Sequence, residues 1–118
     1  MVKITQLLQN TKDEDKINVS LKKETATFYS ASVNDKYTVQ VNKENKMEWT
    51  AQTPVKVDCS CADFMYRWSY VLRKNDGLLY PAKYVNEPPK HKNPGMEIGA
   101  CKHVNKVLKE ILKQEGDK

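Results

Sequence analysis

From Thr25 onward the apolar positions recur at every second residue. Phe28, Ser30 and Ser32 alternate with Tyr29, Ala31 and Val33, and Tyr37, Val39 and Val41 alternate with Thr38 and Gln40. A period of two belongs to half-buried strands. Asn34-Asp35 stands between the two runs, and both residue types tolerate positive φ, so the pattern predicts a tight hairpin. Met47 to Thr50 and Pro54 to Cys59 are two further strand candidates, with Val55, Val57 and Cys59 sharing one face. An antiparallel meander of three or four strands is therefore expected.

After Cys61 the period becomes helical. Phe64, Met65, Trp68, Val71 and Leu72 recur at steps of three and four, with Asp63 as N-cap and Asn75-Asp76-Gly77 as the stop. The Phe, Trp and Tyr side chains of this stretch read as core packing against the sheet. Residues 76–99 form a loop rich in proline: Pro81, Pro88, Pro89 and Pro94 interrupt any regular structure. A last helix follows, with Val104, Val107, Leu108, Ile111 and Leu112 on one face. Before all this, Ile4, Leu7 and Leu8 suggest one face of a short helix, and Gln9 to Lys16 a polar loop or frayed end. The expected fold class is α+β: a β-meander packed with two helices around a ββα core. Residues 1–24 form an N-terminal helix or extension, and 25–115 a single domain.

Composition adds little to the fold but narrows the chemistry. The chain has 118 residues and a net charge of +5, with the halves 1–58 and 59–118 at +1 and +4. That bias is compatible with nucleic acid without requiring it. No apolar run approaches the roughly 18 residues of a membrane span, and the first residues do not open a secretory signal, so a reducing, intracellular setting is expected.

All three cysteines and one of two histidines fall in two pairs, Cys59-Ser60-Cys61 and Cys101-Lys102-His103. Thiolate and imidazole are zinc ligands, and four of them close a tetrahedral shell. An odd number of cysteines cannot form a closed disulfide set, and a Cys-x-Cys disulfide would close a strained ring. One structural Zn2+ held by Cys59, Cys61, Cys101 and His103 is therefore expected, cross-linking the middle of the chain to its last helix. His91 in the proline-rich loop is the one substitute ligand, and a solvated histidine is the simpler account of it.

The two ligand pairs, with Asp63-Phe64 after the first and the second, followed by Val104, opening a helix, resemble the SWIM zinc finger: CxC, a variable spacer, then CxH on a ββα scaffold. Tyr37 to Val41 resembles that family's lead-in strand. The likeness covers roughly residues 25–113. The spacer is longer than is usual for the family, and in this the chain is similar to small proteins of tailed bacteriophages, some of them virion proteins. The resemblance implies a non-catalytic zinc module that binds protein or DNA, with no small-molecule substrate and no membrane.

Nothing points to an enzyme. Four protein ligands leave zinc no position for water, and no phosphate-loop, dinucleotide-fingerprint or H-E-x-x-H motif is present. Two readings of the binding role follow. One is protein–protein contact, in a phage particle or its assembly, placing the protein in the host cytoplasm or the virion. The alternative is nucleic-acid binding through Lys102, Lys106, Lys109 and Lys113 on one helical stripe, with Arg67, Arg73 and Lys74. A solvated face with lysines near a helix C-terminus explains Lys109 and Lys113 equally simply, and no arginine or aromatic interleaves the stripe.

Overall fold

The computed structural model describes residues 1–8, 17–43, 48–81 and 98–116. Five strands form one antiparallel sheet: β1 (Val2–Lys3), β2 (Val19–Lys23), β3 (Phe28–Val33), β4 (Tyr37–Lys43) and β5 (Pro54–Cys59), in the order β1-β5-β4-β3-β2. With α1 (Ile4–Leu7), α2 (Ser69–Lys74) and α3 (Lys102–Gly116) this is an α+β architecture. The loop 76–99 lies mostly outside the described residues, as do His91, Met47 and the stretch from Gln9 to Lys16.

The alternating runs become β3, β4 and β5, and their inward positions are those the period selects. Tyr29, Ala31, Val33, Val39, Val41, Val55, Val57 and Cys59 are all buried. Across the strands Ala31 faces Val39, Val41 faces Val57 and Val39 faces Cys59, so the sheet's apolar face leads directly to the first ligand. Asn34 and Asp35 both take positive φ, 54° and 53°, as the hairpin requires. Helix α3 lays its buried side chains (Val104, Val107, Leu108 and Ile111) across β2 to β5.

Three expectations are corrected. The sheet has five strands rather than three or four, because residues 1–24 supply both of its edges: Val2 pairs with Val55, and Val19 to Lys23 pair with Val33 to Tyr29. Glu48 to Thr50 is not a strand. Trp49 is buried instead by packing edge-on against Tyr29, ring centres 5.0 Å apart, while its Nε1 donates to the Ala26 carbonyl at 3.2 Å. In the first helical segment, residues 64–68 form a π-helical turn, one residue wider than an α-turn. The helical face is thereby shifted, so Met65 and Tyr66 stand exposed while Phe64, Val71 and Leu72 are buried. The stop is as expected. Asp76, at φ 55°, donates to Arg73 O and Gly77 donates to Leu72 O, the paired bonds of a Schellman end. Gly77 is required there because a Cβ would meet Val2 Cγ2 at 2.6 Å.

The far end of α3 is fastened by polar groups. Lys23 Nζ donates to Glu115 Oε2 at 2.9 Å, the Tyr29 hydroxyl donates to the same oxygen at 3.1 Å, and Gln114 Nε2 donates to the Tyr29 hydroxyl at 3.2 Å. Burial of Tyr29, reinforced by the bond to Glu115 and by its charge and only partly offset by Gln114, pushes the phenol from 10.0 up to about 12. A folded pKa above the unfolded one gives stability that is complete below pH 10.0 and is lost as pH rises through about 12. Absorbance titration of tyrosinate should show one group with a midpoint near 12, missing from Tyr29→Phe. Ionisation of Tyr29 together with the exposed tyrosines would contradict this packing.

Candidate metal centre

Cys59 ends β5, and the turn after it is pinned to β4. Ser60 N donates to Thr38 O at 3.1 Å, and Thr38 N donates to Ser60 Oγ at 2.9 Å. This reciprocal pair aims Cys59 and Cys61 toward the helical side of the sheet. Cys61 opens the first helical segment, and its own sulfur caps it: Phe64 N donates to Cys61 Sγ at 3.3 Å. Asp63, expected as the cap, makes no capping bond. Its carboxylate instead accepts from Trp68 Nε1 at 3.3 Å and pairs with Arg67 Nε at 3.3 Å. The sulfur takes the cap because Cys61 stands one residue before the helix begins at Ala62.

Cys101 occupies the corresponding place before α3. Asn105 N donates to Cys101 O at 3.0 Å, the first bond of the helix, and His103 follows within the first turn. Two helices thus start at thiol ligands, with their positive ends facing a centre that a divalent cation and three thiolates would leave at −1.

The four ligand atoms of Cys59, Cys61, Cys101 and His103 lie within 4.8 Å of one another. Cys59 Sγ and His103 Nδ1 are 3.9 Å apart. Zn–S and Zn–N bonds of about 2.3 and 2.0 Å imply ligand–ligand edges of roughly 3.6–3.8 Å, so the Cys59–His103 pair stands near a tetrahedral edge and the widest pair need close by no more than about 1 Å. Three sulfurs and one nitrogen suit a thiophilic ion and not the oxygen-seeking Mg2+ or Ca2+. All four side chains are buried, His103 the most accessible at 6 %. The Tyr37 ring lies on the imidazole with centres 4.5 Å apart, holding its plane.

Without a cation the three sulfurs cannot all be ionised. Hydrogen bonds from Cys101, then from Cys59, hold the Cys61 thiol far below its usual range. Cys101 is driven well above that range by burial and then by its two neighbours. For Cys59 the bond with Cys101 lowers the pKa, but the bond with Cys61 and burial outweigh it and push the thiol up to about 12. Binding a cation requires these thiols to give up their protons, so metal affinity should rise with pH.

The proposed nucleic-acid residues are scattered in their engagements. Arg67 pairs with Asp63, Arg73 Nη1 donates to Pro81 O at 3.0 Å, and Lys74 Nζ sits 5.4 Å from the centre of the Tyr70 ring. On α3, Lys106 pairs with Glu110 at 3.3 Å, while Lys102, Lys109 and Lys113 are exposed. Sequence reading missed Tyr37, Ser60 and Asn105 as parts of the centre. Asn105 carried a usable signal, a polar residue on the buried arc of an amphipathic helix. No family model, curated protein or solved structure matches the chain. Among the described residues no helix is long and apolar enough to cross a membrane.

Proposed function

We propose that the protein is a non-catalytic, zinc-stapled module of the SWIM type whose business is contact with other proteins. The observation that carries this is the convergence of four buried ligand atoms, drawn from a strand end and two helix starts, within 4.8 Å. Four protein ligands complete a tetrahedral shell and leave no position at which zinc would activate water. The metal then acts by holding β5, the helical segment after it and α3 in one arrangement. Exposed Met65, Tyr66 and Tyr80, of types favoured at protein interfaces, support a protein partner. The long spacer alone supports the narrower likeness to tailed-phage proteins and a place in the virion or its assembly.

The second reading, nucleic-acid binding, draws on exposed Lys102, Lys109 and Lys113 running from the metal end of α3. One comparison separates the two. Protein expressed in reducing conditions should contain one zinc per chain, and cross-linking in native material should recover protein neighbours. Binding to DNA that weakens steeply with added salt, following several neutralised phosphates, would move the assignment to nucleic acid. A chain without metal would end both versions.

A further inference from the structure

We infer that Asn105 is the positioning residue that sets the direction of the Cys101 sulfur, an inference that rests on reading the cluster as a zinc centre. Asn105 is 1 % exposed, in the apolar face of α3 between Val104 and Val107. Its Nδ2 donates to Ala100 O at 2.9 Å and to Cys101 O at 3.1 Å. These carbonyls belong to the two peptide planes on either side of the Cys101 Cα. One side chain therefore bridges both planes and fixes φ and ψ at the ligand.

The orientation of this amide is set by charge. Turned over, its oxygen would face two carbonyl oxygens, a repulsive arrangement. In the orientation it takes, Asn105 Oδ1 is buried without a hydrogen-bond partner among the described residues. An unpaired oxygen in the interior is unfavourable, so an apolar residue would suit the packing better. What only the amide supplies is the two donors, and both are directed at the backbone of a metal ligand. Zinc tolerates ligand distances only within about 0.2 Å of ideal. A Cys101 backbone free to rock would lower the fraction of chains presenting a competent site.

The test is zinc affinity of the full chain, measured by competition with a chromophoric chelator, together with the absorption spectrum of the cobalt(II) form. Asn105→Leu keeps the branched outline of the side chain, with bulkier methyl ends, and removes both donors. It should weaken zinc about 10- to 100-fold, the range for outer partners of metal ligands, and shift the cobalt bands. Asn105→Ser should fall between it and the parent, because a serine hydroxyl can still donate to the carbonyl four residues back, Cys101 O. Leu108→Ala, buried one turn farther along the same helix, serves as the stability control: it should lower the melting temperature without altering the cobalt spectrum. Affinity within about twofold of the parent and an identical spectrum for Asn105→Leu would overturn the inference while leaving the zinc centre standing. If Asn105→Leu does not fold, Asn105→Ser carries the test, and an unchanged affinity and spectrum there have the same consequence. A parent chain that binds no zinc would remove the centre and this role together.

Discussion

Cys59→Ser or Cys101→Ser should lose the bound metal and, with it, the cooperative unfolding transition. Serine replaces a thiolate with a neutral hydroxyl that zinc binds poorly. Three ligands then remain for an ion that structural sites hold with four. The magnitude follows from comparing two energies. Structural zinc contributes on the order of 10 kcal/mol in small domains, and a domain's entire stability is about 5–15 kcal/mol. Cross-linking alone, by closing a ring of about forty residues, accounts for roughly 4 kcal/mol of unfolded-state freedom. Removing the metal therefore removes an energy comparable with the whole fold. The measurement is metal analysis alongside thermal and urea unfolding followed by circular dichroism. A strong chelator acting on the parent chain should reproduce the effect. A Cys101→Ser protein that melts as the parent does would show that the cluster is not a structural metal site.

Phe64→Ala is the second large effect, and it separates packing from coordination. Phe64 is fully buried at the start of the π-helical turn, next to the Cys61 cap. Truncating such a phenylalanine costs about 3–5 kcal/mol, which corresponds to a fall in Tm on the order of 10–20 °C for a chain of this size. The bond from residue 64 to Cys61 Sγ is made by the backbone and survives the substitution. All four ligands also remain. The variant should therefore retain one metal per chain while melting much earlier. Loss of the metal at temperatures where the variant is still folded would mean that the phenyl ring, not the backbone, shapes the knuckle.

The inner strands were readable because burial on one face writes a period of two into the sequence, as Tyr29, Ala31 and Val33 show. The turn was readable because few residues other than asparagine, aspartate and glycine accept two successive positive φ values. The ligand pairs were readable from residue type and spacing alone. The edges were not. Two residues, Val2 and Lys3, are too few to show any period. In Val19–Lys23 only Val19 and Leu21 are even partly covered, so the alternation is faint. Trp49 has the β propensity of a strand residue, but its burial is satisfied by Tyr29 and a single carbonyl without strand pairing. A π-helical turn adds a residue that no fixed helical period anticipates, and this is why Met65 was placed on the wrong face. Asn105 was passed over because counting apolar positions ignores a polar residue that satisfies the backbone beneath it.

Helix α3 is fastened at its two ends by different chemistry. Its first turn would be held through sulfur and imidazole by a bound ion, and its last is held through Glu115, Tyr29 and Lys23. The polar anchor, a few hydrogen bonds worth about 1 kcal/mol each, is too weak to keep the rod seated once the other end is released, so an emptied site would free the whole helix from the sheet. Occupancy of the ion would then be read out as the presence or absence of the whole folded surface, not as a graded change within it.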